Sequence, residues 1–216
     1  MKIRSLLELN DAISQELSWR KKELSTLSIL LQKRREHEKP VLLRSAIPIL
    51  YAHWEGFVKN AATYYLQYVS RKKVKYSKLQ SNFIALACKS AIQESLKSNK
   101  ILLLKQVVEF IIHNQEDVSK IPYLGVIDTE SNLNSDVFKN IIHQLGLKYD
   151  DYYLTKELSI DGSLLQKRNS IAHGEKLDVT EDEFLDMYKM MLGLLDYFRN
   201  EIENAAVQEQ FKRLDG

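Results

Sequence analysis

The sequence predicts an all-α fold, a helical bundle with long N-terminal helices. Three observations carry this. Only 7 Gly and 3 Pro occur in 216 residues, which leaves few tight turns and favours long helices over a many-stranded sandwich. Apolar residues recur at helical spacing over long stretches. Turn-forming residues gather most clearly in one segment, 119–134, around Pro122 and Gly125. With 44% hydrophobic residues the chain has material for a sizeable core, and we expect a single domain over 1–216.

The elements follow in order. Ile3, Leu6, Ile13, Leu17, Leu24, Leu27 and Leu31 form one stripe, which predicts a long helix over 3–38. Pro40 suits a first helical turn, and a strongly apolar core helix is expected over 41–70. Pro48 lies inside it and predicts a kink or a late start. A third helix is expected over 81–96. Residues 101–113 suit helix or strand, and Glu109 with the flanking helix formers favours helix. After the 119–134 loop comes a short helix, 135–145, ending at Gly146. The next helix spans 161–173 and stops at Gly174. Thr180 and Glu183 make a capping box that opens a final helix over 181–211.

Composition removes several classes of function. A lone Cys88 rules out an internal disulfide framework and the usual zinc cassettes, and suggests a reducing compartment. The N-terminus lacks the apolar run of a signal peptide, and no apolar run approaches the roughly 20 residues of a membrane span. A cytoplasmic protein with no membrane association is expected. The net charge of +2 does not by itself argue for nucleic acid. Local basic clusters occur at Trp19-Arg20-Lys21-Lys22, Lys33-Arg34-Arg35 and Arg71-Lys72-Lys73; such clusters are mostly solvated helix faces. No P-loop, Rossmann glycine pattern or H-E-x-x-H motif appears, so neither cofactor nor metal is expected.

The informative segment is Leu164-Leu165-Gln166-Lys167-Arg168-Asn169-Ser170-Ile171-Ala172-His173-Gly174-Glu175. On a helical wheel Leu164, Leu165, Ile171 and Ala172 share one side, with Arg168 in the middle of that stripe. Asn169 and His173, four apart, stack along its edge. A guanidinium buried without a partner is strongly unfavourable. It requires a carboxylate from another helix or an anion such as phosphate, which suits its planar fork. His173 lies in the last turn, where the helix dipole favours a cation. Arg for phosphate charge, His for proton transfer and an amide to orient them make a set able to cleave phosphodiesters. The residues alone leave a second reading open, an Arg paired with a buried Glu beside a His that only caps.

Arg168-Asn169-Ser170-Ile171-Ala172-His173 resembles the R-x-x-x-x-H signature of the HEPN superfamily, including the polar residue after the Arg. The longer string LQKRNSIAHGE, residues 165–175, resembles the form found in bacterial HEPN proteins of the RNA-lyase-like group. RSAIPILYAHWEGFVK, residues 44–59, resembles the first conserved helix of that group, with its Tyr-Ala-x-x-Glu-Gly-Phe pattern. Outside these two stretches only the helical order is shared.

The resemblance implies a helical bundle acting as a homodimer, in which the two R-x-x-x-x-H helices meet across a two-fold axis. It implies a metal-independent endoribonuclease whose catalytic residues are Arg168, Asn169 and His173, with RNA as substrate and a 2′,3′-cyclic phosphate as product. His173 would transfer protons, Arg168 would hold the phosphate charge, and Asn169 would hold the imidazole or contact the phosphate. A toxin or anti-phage defence effector, with an antitoxin or defence-system partner, is the implied setting. Some toxins of the superfamily carry a modifiable Tyr two residues after the His, where this chain has Glu175. The rival reading is a non-catalytic HEPN module that binds RNA, a nucleotide or a partner protein.

Other residues weigh less. Glu55 and Arg44 are candidates for a supporting role. Glu55 is expected either to join Arg168 and the site, or to pair locally with Arg44 or Lys59. His53 is expected to be structural. His113 and His143 read as helix-edge residues and His37 as exposed. Trp19 and the Tyr149, Tyr152, Tyr153 cluster read as packing residues, although such rings also stack on bases.

Overall fold

A computed structural model describes residues 2–98 and 100–213. Among the described residues it contains eight α-helices and no strand. The body is three long helices packed on one another: α1 (Leu6–Gln32), α2 (Lys39–Arg71) and α8 (Glu181–Val207). Between α2 and α8 the chain makes a hairpin of α3 (Ser81–Ser98) and α4 (Ile101–His113). Then come α5 (Ser135–Gln144), the single turn α6 (Asp151–Leu154), and a π-helical segment, Ser159–Leu165, that runs into α7 (Gln166–Ala172).

Each long helix has a local reason for its ends. α1 starts at Leu6 rather than Ile3, because Ser5 and Glu8 form a capping box: the Ser5 hydroxyl accepts from the Glu8 N–H, 3.2 Å, and the Glu8 carboxylate accepts from the Ser5 N–H, 2.9 Å. α1 ends at Gln32 instead of reaching residue 38, because its buried stripe ends at Leu31 and residues 32–37 are all exposed. α2 carries Pro40 in its first turn and runs through Pro48 without a late start. The missing hydrogen bond there is offset by fully buried neighbours, Ile47 and Leu50. The predicted Thr180–Glu183 box opens α8, and α8 stops at Val207, short of residue 211.

The core lies where α2 meets α5, α6 and α8. Trp54 and Phe57 of α2 meet Phe138 and Phe198, with ring centroids 4.8 Å apart for Trp54–Phe138 and 6.3 Å for Phe57–Phe198. Each fully buried Leu, Ile or Phe contributes about 1.5–3 kcal/mol. Tyr149, Tyr152 and Tyr153 pack into this cluster against Phe138 and Tyr197, as expected. α4 buries only Val107 and keeps Ile101, Leu102, Val108 and Ile112 exposed.

One basic cluster departs from its sequence reading. Arg20 is not on a solvated face but only 3% exposed. Its Nη1 donates to the Glu16 carboxylate and to the Glu16 carbonyl, 2.9 Å, and its Nε donates to the His53 carbonyl, 3.2 Å. The guanidinium lies 4.3 Å over the Trp19 ring. Asn60, 2.9 Å, and Tyr64, 3.4 Å, also donate to Glu16. Gly56 of α2 is explained here, since a Cβ at that position would sit 3.0 Å from Arg20 Nη2.

Arg20→Met leaves the Glu16 carboxylate half-enclosed without its cation. It is expected to cost about 3 kcal/mol in urea unfolding, while Arg20→Met with Glu16→Met recovers most of that. A double variant no more stable than the single one would contradict this. Acid should weaken the fold in two stages. Burial pushes the His53 imidazole down, against the pull of Glu23 and with the help of Arg20. Its 3.3 Å contact with Glu23 is therefore no ion pair at neutral pH. Burial pushes Glu16 up, but hydrogen bonds from Asn60 and Arg20 outweigh it and hold the carboxyl low. Both groups have folded values below their unfolded ones. Their contributions are complete above the unfolded values, about 6.5 for His and 4.3 for Glu, and are lost as pH falls. His53→Asn should flatten the first stage in melting temperature against pH; an unchanged slope from about pH 6.5 downward would refute the assignment.

Candidate functional site

The R-x-x-x-x-H segment is not one regular helix over 161–173. It begins in the π-helical turn Ser159–Leu165, which buries Ile160, Leu164 and Leu165. Only Gln166–Ala172 is α-helical, with His173 as its C-cap. Ser135 fixes the turn from outside: its N–H, 2.8 Å, and hydroxyl, 2.5 Å, both donate to Asp161. The far end closes in a Schellman arrangement. The Gly174 N–H donates to the Ile171 carbonyl, 3.1 Å, and the Glu175 N–H to the Ser170 carbonyl, 3.0 Å. This needs a positive φ at Gly174, observed at 79°.

Arg168 is half-buried. Its guanidinium lies 4.7 Å from the Tyr51 ring centroid, a cation–π contact with α2. Nη1 donates to Asn132 Oδ1, 3.0 Å, and to Asn169 Oδ1, 2.7 Å. Those two bonds use both Nη1 hydrogens. Among the described residues no other hydrogen bond to the guanidinium is formed, so its Nε–Nη2 edge stays open. The awkward cation on an apolar stripe is thus held by a ring and two amide oxygens, with no carboxylate in an ion pair among the described residues. The stripe is shorter than predicted: Leu164 and Leu165 are buried, Ile171 partly so, and Ala172 is exposed.

His173 is exposed. It lies five residues beyond Arg168, about 7.5 Å further along the axis at 1.5 Å per residue. Asn169 is one turn before His173 and accepts the His173 N–H at its carbonyl, 2.9 Å. Its side-chain oxygen faces Arg168, not the imidazole. Arg44 reaches the same end of α7, donating from Nη2 to the Glu175 carbonyl, 2.6 Å.

Glu55 forms no ion pair with Arg168, Arg44 or Lys59. It accepts from the buried Thr129 hydroxyl, 2.6 Å. The Tyr51 hydroxyl accepts from the Leu133 N–H, 2.5 Å. Burial pushes the Tyr51 hydroxyl up, and Glu55 adds to this, so the phenol stays protonated. Tyr51, Thr129 and Asn132 were not singled out for this site in sequence. Asn132 stands 36 residues from Arg168 in a loop, and no periodicity reports such a pairing. The remaining histidines lie elsewhere: His53 is buried beside Trp19, and His37, His113 and His143 are exposed. Among the described residues no group of three or more His, Cys, Asp or Glu is placed to hold a metal, and no helix is long and apolar enough to cross a membrane.

Comparison with known proteins gives the family of the chain. The RiboL-PSP-HEPN family model matches residues 15–204, taking in both α2 and the R-x-x-x-x-H segment. No curated protein and no solved structure matches the chain. With most of its length matched, the chain belongs to the RiboL-PSP-HEPN family of the HEPN superfamily.

Proposed function

We propose that the protein is a metal-independent endoribonuclease. HEPN domains are commonly ribonucleases or nucleotide-related proteins, and they often bind RNA and dimerise. The observation that carries the reading is the guanidinium of Arg168, held through one nitrogen with its other edge open. An open Nε–Nη2 edge offers two parallel N–H donors, the geometry that binds two phosphate oxygens. His173 is solvent-accessible at the C-cap of the same short helix.

In this mechanism the 2′-hydroxyl of one nucleotide attacks its own 3′-phosphate. The O2′–P bond forms and the P–O5′ bond breaks. His173 accepts the 2′-hydroxyl proton, and an imidazolium delivers a proton to the leaving 5′-oxygen. The natural source of the second proton is His173 of the partner subunit, in a homodimer whose α7 helices face one another. Arg168 stabilises the charge that builds on the phosphate. Asn169 orients Arg168. The products are a 2′,3′-cyclic phosphate and a 5′-hydroxyl end. By family analogy alone the setting is a toxin or anti-phage defence effector in the cytoplasm, under the control of an antitoxin or defence-system partner.

Arg168→Ala and His173→Ala are each expected to lower RNA cleavage in EDTA by about 10²–10⁴-fold. Circular dichroism and the dimer mass should be unchanged. Full activity in either variant would remove the assignment. A wild-type protein that shifts RNA without cutting it would be a binding module instead.

A further inference from the structure

The loop from Asp128 to Asn134 has no place in the R-x-x-x-x-H motif, yet it reaches the guanidinium directly. Three bonds from outside the loop's own backbone hold it. Thr129, 5% exposed, donates its hydroxyl to Glu55 at 2.6 Å. The Leu133 N–H donates to the Tyr51 hydroxyl at 2.5 Å. Asn132 Oδ1 receives Arg168 Nη1 at 3.0 Å. Between the two anchors, Glu130 and Ser131 take φ of 52° and 62°. Left-handed backbone is unfavourable for residues other than Gly. Two in succession persist only where the surroundings over-determine the turn. Here the Asn132 N–H returns to the Thr129 carbonyl, 3.0 Å, and the Glu130 N–H to Asp128 Oδ1, 2.9 Å.

The chemical type of the contacts matters as much as their geometry. Both acceptors on Nη1 are amides, so they orient the guanidinium without neutralising it. The neighbouring carboxylate, Glu55, is directed instead at Thr129. The cation therefore keeps its full charge for an anion on the open edge. A carboxylate at position 132 would hold Arg168 at least as firmly but would compete with that anion.

We propose that this loop is a third arm of the site. Asn132 is a positioning residue that aims the Nε–Nη2 edge of Arg168 at a phosphate. Thr129 and Glu55 act one step further out, as the latch that keeps Asn132 in place. The proposal rests on the ribonuclease reading for its kinetic consequences but not for its structural ones, and its test has one measurement for each.

In the wild-type protein labelled with ¹⁵N-arginine, the Arg168 Nη signals should be resolved by slow rotation about Cζ–Nη1. Asn132→Ala and Thr129→Val should collapse them; Thr129→Ser should restore them, and Asn132→Asp should retain them. In RNA cleavage, Asn132→Ala and Thr129→Val should lower kcat at least tenfold with KM changed less than threefold, because misaimed donors weaken the transition state most. Thr129→Ser should recover kcat, and Asn132→Asp should raise KM more than fivefold. Glu55→Gln keeps an acceptor for Thr129 and should lose far less kcat than His173→Ala. Unaltered Arg168 signals and kcat in Asn132→Ala would overturn the proposal. A loss in Glu55→Gln as deep as in His173→Ala would make Glu55 a catalytic group and overturn the latch. If the wild type cuts no RNA, the ribonuclease reading fails while the NMR comparison still decides whether the loop aims Arg168.

Discussion

The site turns on one requirement, that a positive charge be held against an apolar face without being cancelled. Arg168 emerges from a stripe that begins with buried Leu164 and Leu165. Its charge is met by the face of Tyr51 and by two amide oxygens. A carboxylate in an ion pair would be the stronger local solution, and the protein does not use it. That choice obliges α2, the 128–134 loop and α7 to meet at one point. It leaves the Nε–Nη2 edge of a planar, charged donor array without a protein partner among the described residues.

α2 is the element that makes this meeting possible. Its Tyr-Ala-x-x-Glu-Gly-Phe stretch turns each functional type to a different neighbour. Tyr51 faces the guanidinium, Glu55 faces the loop, and Phe57 enters the aromatic core. Gly56 makes room for Arg20 of α1. The pair of buried Arg20 and half-buried Glu16 thus lies beside the site-bearing turn of α2 and ties α1 to it. Two arginines meet α2 from opposite partners. One has a carboxylate partner and belongs to the scaffold; the other has none among the described residues and belongs to the proposed site.

Much of this was legible in the sequence, because periodicity and capping are local. The helix order, the Thr180–Glu183 box and the odd placement of Arg168 follow from spacing alone. The Ser5–Glu8 box was equally local, and the S-x-x-E pattern would have placed the start of α1 correctly. Other features had no local signal. The π turn at Ser159–Leu165 depends on Asp161 serving Ser135, 26 residues away. Arg20 looks like its neighbours Lys21 and Lys22 until Glu16 and Gly56 are seen around it. Glu55 has a flank position that permits several partners, and only the fold selects Thr129. Asn132 sits in the segment read simply as loop, and its meeting with Arg168 is a tertiary event. Family resemblance supplied the pairing of Arg168 with His173; it did not supply what holds the arginine.

The most direct test is a crystal structure of the dimer bound to a short RNA carrying a 2′-O-methyl group at the scissile nucleotide. The account predicts two phosphate oxygens on Nε and Nη2 of Arg168, Nη1 still on Asn132 and Asn169, and a His173 imidazole beside the blocked 2′-oxygen. A phosphate bound elsewhere, with the Nε–Nη2 edge covered by protein in the dimer, would contradict it.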